Sequence, residues 1–410
     1  MVVADELAVW LHGTWVATID SARRRVRLTY TDEARGLYAP GTPVLSLSLP
    51  VRAERFPQGI VRPFLDGLLP EGESRRVIAR AVGVDAEDTY GLVRALGRDC
   101  AGAIVIQPVE ESAPPPSTAV TADPLSDEEL ADLVRNLRNA PLGAGGRVRV
   151  SLAGVQEKLL LTRMPDNTWG RPVDGTPSTH ILKPEIAAYP NTIENEAFCM
   201  RVAKHLGLRV ANVETTEVAG RKLIVVERYD RMVQPDGTVE RIHQEDFCQA
   251  TGARPEHKYQ QDGGPPLKRI AEIVAAVTVR GSLERLLQAV TLNTLVGNGD
   301  AHAKNLSLLH ERSGVLQLAP IYDVMCTLTY DDDRLAMYVD DVHRTNRVTT
   351  QRLANEAASW GLPRRRCEEI VADILDRAPG AIDAARDETA GVPDAIVSTA
   401  DSQLTQLRGN

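Results

Sequence analysis

Aromatic side chains are scarce in this chain: Phe, Trp and Tyr together make up 4% of its 410 residues. The core must therefore be built mostly from Leu, Val, Ile and Ala. Lysine is thinner still, with seven Lys against forty Arg. Where Arg is the default base, a retained Lys hints at a compact, adjustable cation. The five cysteines, Cys100, Cys199, Cys248, Cys326 and Cys367, are scattered and form no C-x-x-C spacing. That excludes a disulfide frame or zinc site of the familiar spacing and suggests reduced thiols in a cytosol. No run approaches the roughly 18 apolar residues needed to cross a bilayer. The opening Val2 to Glu6 has neither a basic nor an apolar signal region. The expectation is a soluble, cytoplasmic protein without a membrane partner.

A formal net charge of −9 and a pI near 5.5 argue against a surface that is wholly a nucleic-acid footprint. Two basic runs, Arg23 to Arg25 and Arg364 to Arg366, read as solvated faces. The remaining composition, 43% hydrophobic and 25% charged, suits two or three globular domains.

Residues 1–107 alternate strand and turn patterns with a helical stretch, IVRPFLDGLLPEGESRRVIARAVG, and close on the strand of GRDCAGAIVI. Residues 108–126, rich in Pro, Ser and acid, read as a linker or mobile loop. Residues 127–232 read as a β-rich lobe. It begins with the amphipathic helix DEELADLVRNLRN and the glycine-rich PLGAGGR. RVRVSLAGVQEKLLLTR follows as strand, loop and strand, then the strand THILKPE, the helix NEAFCMRVAKHLGL and a hairpin ending in LIVVERYDR. From 233 to 410 helices dominate. They are interrupted by VGNGDAHAKNLSLL and by the hairpin LSLLHERSGVLQLAPIYD.

Asp300 and Asn305 lie five residues apart between a buried helix and that hairpin, and Asp323 follows it. Protein kinases space a catalytic Asp, an Asn and a metal-binding Asp in this way. A phosphoryl acceptor needs a carboxylate, here Asp300, to orient its hydroxyl and take its proton. Two oxygen ligands, Asn305 and Asp323, would hold Mg²⁺ against the phosphates of ATP. Lys304 could steady the transferring group, and His302 could orient Asp300 or the loop. A turn closed by Asp and Asn side chains, with His302 packed, is the plainer alternative. Upstream, Lys183 sits on a strand, as a phosphate-contacting lysine would, and Glu196 or its rival Glu194 could pair with it. An edge-strand lysine remains open. The loop Ser151, Leu152, Ala153, Gly154, Val155, Gln156, to Lys158 could cover phosphates with backbone amides, although it matches no glycine-rich consensus and would also suit a simple hairpin. LIVVERYD, turning polar at Glu227, could be a hinge carrying adenine. The order of these parts gives an α+β, two-lobed protein-kinase-like fold: a β-rich N-terminal subdomain, an ATP-binding lobe and a mainly helical C-terminal lobe.

SLAGVQEK, HILKPE, VERYDR, NGDAHAKNLSLL and PIYDV, with LLPEGESRR and GRDCAGAI upstream, closely resemble the HipA-type serine/threonine kinases, toxins of bacterial type II toxin–antitoxin modules. The resemblance spans nearly the whole chain. It implies autophosphorylation at Ser151 that pulls the loop out of the ATP site, ATP phosphates on Lys183, catalysis by Asp300, and Mg²⁺ on Asn305 and Asp323. It puts Glu227 and Tyr229 at the nucleotide hinge. It further implies a helix-turn-helix antitoxin of HipB type, operator DNA contacted mainly through that antitoxin, and an aminoacyl-tRNA synthetase such as glutamyl-tRNA synthetase as substrate. Two other readings remain: a small-molecule phosphotransferase, whose Gly-Asp-x-His-x-x-Asn loop is similar, and a non-catalytic co-repressor scaffold that binds the antitoxin.

Overall fold

The computed structural model describes residues 6–22, 25–114, 117–119, 122–139, 151–154, 156–173 and 175–409. The expectations for Val155, for the glycine-rich stretch 141–147, for the strand before Ser151 and for Arg23 and Arg24 lie outside the described residues. The chain divides into two compact units, Met1–Pro184 with Glu217–Arg221 and Glu227–Pro255, and Glu185–Thr216 with Lys222–Val226 and Glu256–Asn410.

The first unit opens with three strands, β1 (Glu6–Leu11), β2 (Thr14–Ala22) and β3 (Arg25–Tyr30). His12 and Gly13, both at positive φ, supply the two-residue turn that the twist of a hairpin favours. Four helices follow, α1 (Asp32–Leu37), α2 (Gln58–Asp66), α3 (Gly72–Val82) and α4 (Thr89–Leu96), and then β4 (Ile104–Pro108). The antiparallel order is β3-β2-β1-β4. Leu7, Val9, Ile19, Leu28 and Ile106 meet Phe64, Leu65 and Leu92 in one aliphatic core. The stretch 60–83, expected as helical, is two helices. Pro70, which has no N–H to donate, stands between them, and Gly72 at φ +56 opens the second.

Next come β5 (Ser117–Ala119), β6 (Ala122–Pro124) and α5 (Asp127–Arg135), which Ser126 and Glu129 cap reciprocally. The strands β7 (Leu159–Arg163), β8 (Trp169–Pro172) and β9 (His180–Pro184) complete this part. The stretch expected as a linker or mobile loop therefore contains two strands. β6 pairs with β8, and β5 pairs with a strand near residue 240. An edge strand needs only backbone N–H and C=O groups, so a polar, proline-rich stretch can supply it without apolar side chains.

In the second unit α6 (Thr192–His205) is buried almost all round, and Gly207 at φ +68 closes it as expected. The hairpin of β10 (Val213–Val218) and β11 (Arg221–Glu227) gives residues to both units. β12 (Arg231–Val233), β13 (Thr238–Arg241), β14 (His243–Asp246) and α7 (Phe247–Thr251) belong to the first. The second continues with α8 (Leu267–Val277), α9 (Ser282–Leu295), the hairpin β15 (Ser307–His310) and β16 (Leu316–Leu318), and β17 (Arg334–Val339) with β18 (Val342–Arg344). It ends in α10 (Thr350–Ser359), α11 (Arg364–Glu388) and α12 (Asp394–Gly409). α11 packs on α6, α9, α10 and α12 and forms the axis of this unit. Arg364, Arg365 and Arg366 lie in its first turn, paired with Glu368, Glu369 and Glu284. Sequence reading missed β17 and β18, whose turn is Asp340–Asp341 with both residues at positive φ and no Asn-Gly to mark it.

Candidate active site

In the second unit the loop from Val296 to Leu306 leaves the buried end of α9 and is tied down on every side. Gly297, at φ +70, turns the chain; a Cβ there would lie 2.8 Å from Leu328 Cδ1. Gly299 fits because a Cβ would meet the Arg334 carbonyl oxygen at 2.3 Å. Its N–H donates to Thr327 Oγ1 at 2.9 Å, and its carbonyl accepts from Ala336 N–H on β17 at 2.7 Å. Asn298 Oδ1 accepts the Asp300 N–H at 3.1 Å. The polar residues of this loop thus have two uses: Asn298 and the glycines build it, and the others are left to face outward or inward from it.

Asp300 keeps part of its surface in solvent. Protein crowded around its carboxyl nevertheless raises its pKa above the usual carboxylate range. The Tyr259 hydroxyl and the Lys258 ammonium oppose the rise, and Asp323 and Asp332 add to it. Tyr259 Oη donates to Asp300 Oδ1 at 2.8 Å. His302 is buried, and burial, helped by Lys258, pushes it down to about 3, so it is a neutral imidazole at pH 7. Its ring packs edge-on against Tyr259, centroids 5.4 Å apart at 80°. The His302 N–H donates to the Asp300 carbonyl at 2.8 Å and to Asn305 Oδ1 at 3.2 Å. Lys304 is buried, and its carbonyl accepts from the Tyr322 hydroxyl at 2.6 Å.

Asn305 Nδ2 donates to Asp323 Oδ2 at 3.1 Å, so the two residues expected to hold a metal share one place. Asp323 sits at φ +57, a conformation that costs a non-glycine residue about 1 kcal/mol or more. One amide oxygen and one carboxylate make a hard oxygen set, which suits Mg²⁺ bound through few protein ligands and the phosphates of a nucleotide. No group of three His, Cys, Asp or Glu side chains that could cage a metal occurs among the described residues. Two residues near Asp300, Lys258 and Tyr259, were missed in the sequence. The scarcity of lysine that drew notice to Lys158, Lys183 and Lys304 applied equally to Lys258.

In the first unit Ser151 is fully buried. Its hydroxyl donates to the Leu68 carbonyl at 2.6 Å and its N–H to the Asp99 carbonyl at 2.9 Å. Leu152 packs against the aliphatic core. Gly154 is at φ +118, and a Cβ there would lie 2.6 Å from Lys158 Nζ, which donates to the Ala153 carbonyl at 2.6 Å. The Gly154 carbonyl accepts from Glu71 N–H at 3.1 Å, and Gln156 Nε2 donates to the Pro184 carbonyl at 3.1 Å. Lys183 is buried on β9. Glu227, at the end of β11, is exposed, and the Tyr229 hydroxyl donates to Gln244. In the second unit Glu194 is ion-paired with Lys222, and Glu196 is buried on α6.

The VERYDR segment also builds a buried ion cluster within the first unit. Arg228 and Arg231 each bridge Asp99 and Asp230, Arg241 approaches Asp99 at 3.6 Å, and Ser178 Oγ donates to Asp99 at 2.7 Å. Burial alone would raise the Asp99 carboxyl. The guanidiniums of Arg231, Arg228 and Arg241 overcome that and hold it well below the usual carboxylate range.

Residues 150–382 match the family model of the HipA-like C-terminal domain, and residues 7–107 match that of the HipA N-terminal domain. The chain belongs to the HipA family of kinase toxins. The serine/threonine-protein kinase toxin HipA of Shewanella oneidensis is 35% identical over 336 residues, 78% of this chain and 76% of that one. The protein Y4mE of Sinorhizobium fredii is 43% identical over 346 residues, 80% of each. A solved complex of HipA, HipB and operator DNA from the Shewanella oneidensis toxin–antitoxin system contains a chain that superposes with a TM-score of 0.82 at 28% identity. That match covers 98% of this HipA-family chain and 96% of the other. The fold is the two-lobed α+β kinase fold expected from the order of the motifs. No helix among the described residues is long and apolar enough to cross a membrane.

Proposed function

We propose that the chain is an ATP- and Mg²⁺-dependent protein serine/threonine kinase, the toxin of a type II toxin–antitoxin module. The observation that carries this reading is the cluster of Asp300, Asn305 and Asp323 in one braced loop system, with the Asn305 amide on the Asp323 carboxylate at 3.1 Å. Asp300, its pKa raised by its crowded surroundings, accepts the proton of the substrate hydroxyl. Neutral His302 fixes the loop backbone, and Lys304 lies beside it as a candidate cation for the transferring group. Asn305 and Asp323 would hold Mg²⁺, which when bound neutralises charge on the phosphates. Lys183 contacts those phosphates, the backbone of Ser151 to Lys158 covers them, and Glu227 and Tyr229 take the adenine.

Ser151 is the expected autophosphorylation site. Its hydroxyl is buried against the Leu68 carbonyl, so the loop must leave this seat to be modified. The partner is a helix-turn-helix antitoxin of HipB type, a reading supported by the solved complex that contains HipB. Operator DNA is contacted mainly through that antitoxin. The net charge of −9 and the ion-paired state of Arg364 to Arg366 support this. The protein substrate is a translation component of the aminoacyl-tRNA synthetase class, glutamyl-tRNA synthetase being one example.

Asp323→Ala tests the metal assignment. Titration calorimetry with Mg-ATP should show binding weakened about 10–100-fold, or about 1.4–2.8 kcal/mol, together with a loss of rate. Unchanged Mg-ATP affinity would remove Asp323 from the metal site.

A further inference from the structure

The segment His257 to Gly264 lies between the first unit's last residues and α8, and no expectation drawn from the sequence gave it a role. It is a closed turn. The Tyr259 carbonyl accepts from both Asp262 N–H at 3.0 Å and Gly264 N–H at 2.9 Å. Gly264 is required for this closure, because a Cβ there would lie 2.4 Å from the His257 carbonyl oxygen. From this turn three successive residues reach the catalytic loop and its supporting strand. The Lys258 carbonyl accepts the Ala303 N–H at 3.3 Å, and the Tyr259 hydroxyl donates to Asp300 Oδ1 at 2.8 Å. Gln260 Oε1 accepts the Tyr338 N–H of β17 at 2.8 Å. β17 in turn holds Gly299, next to Asp300, through Ala336. The Tyr259 ring is itself fixed by the buried His302 ring.

We infer that Tyr259 is a positioning residue for phosphoryl transfer, holding one oxygen of the Asp300 carboxylate so that the other is aimed at the acceptor hydroxyl. The inference rests on the reading of Asp300 as the catalytic base. A carboxylate has two oxygens, and a base works only when the right one is within hydrogen-bond reach of the proton it takes. A phenol anchored by a ring contact on one side and a closed turn on the other fixes that orientation before substrate arrives. The geometry also admits an opposite role, in which the phenol occupies the acceptor's place and must be displaced. The two make opposite predictions.

The test is Tyr259→Phe in the full chain, which removes one oxygen and keeps the ring packed on His302. Phosphorylation of the protein substrate, or of Ser151, is followed at saturating Mg-ATP, with Mg-ATP affinity measured separately. The expected result is a kcat lowered about 10–100-fold with Mg-ATP affinity and melting temperature unchanged. A rate equal to or above that of the native chain, or phosphate found on Tyr259 itself, would overturn the inference. Crystal structures of both proteins give a readout independent of turnover. One ordered Asp300 rotamer in the native chain and two or more in the variant support the role, and identical ordered rotamers contradict it. If the native chain transfers no phosphate, the kinase reading fails, and the rotamer comparison still decides what Tyr259 does for Asp300.

Discussion

Asp300→Asn should lower phosphoryl transfer by about 10²–10⁴-fold while leaving the fold intact. The substitution keeps the shape and the oxygen that accepts from Tyr259 at 2.8 Å, and it keeps the backbone anchors to Asn298 and His302. It removes the negative charge and with it the capacity to take a proton. Mg-ATP affinity should change little, since the metal is assigned to Asn305 and Asp323. A rapid-quench measurement with radiolabelled ATP separates the two effects. Near-normal transfer by the variant would show that another group is the base.

The second large effect is on stability. Asp99 lies among Arg228, Arg231 and Arg241, all buried, with Asp230 the other carboxylate of the cluster. Asp99→Ala leaves three buried guanidiniums around one carboxylate and should cost about 3–5 kcal/mol, a large share of the roughly 5–15 kcal/mol that holds a domain folded. Urea denaturation of the two proteins measures the difference. The native group titrates below its unfolded value of about 3.9, so its stabilisation is present above that pH and is lost as the pH falls through the depressed folded value. The native chain should therefore lose stability on acidification more steeply than the variant. A loss below about 1 kcal/mol at pH 7 would mean that the cluster relaxes or admits water.

The candidate catalytic loop stood out in the sequence because the chemistry proposed for it is local. Asp300 and Asn305 fall in one loop and Asp323 just beyond the hairpin that follows it, so residue type and spacing suffice to single them out. Apolar periodicity likewise located the helix α6 and the helical stretches that hold α8 and α9. What was hidden depends on residues far apart in the chain. Tyr259 stands 41 positions before its partner Asp300, in a turn made by Gly264. Asp99 meets Arg228 across 129 positions, and an alternation pattern gives no sign that VERYDR carries its charges inward. The seat of Ser151 against Leu68 spans 83 positions. Strand β5 carried no apolar signal because backbone pairing alone recruits it, and the Asp340–Asp341 turn lacked the glycine that usually announces a hairpin.

Incubation of the purified chain with Mg-ATP, followed by intact mass and phosphosite mapping beside Asp300→Asn, tests the central claim most directly. The account predicts one phosphate on Ser151 in the native chain and none in the variant. No phosphate on the native chain, together with no measurable ATP binding, would contradict it and leave a kinase fold retained for binding an antitoxin.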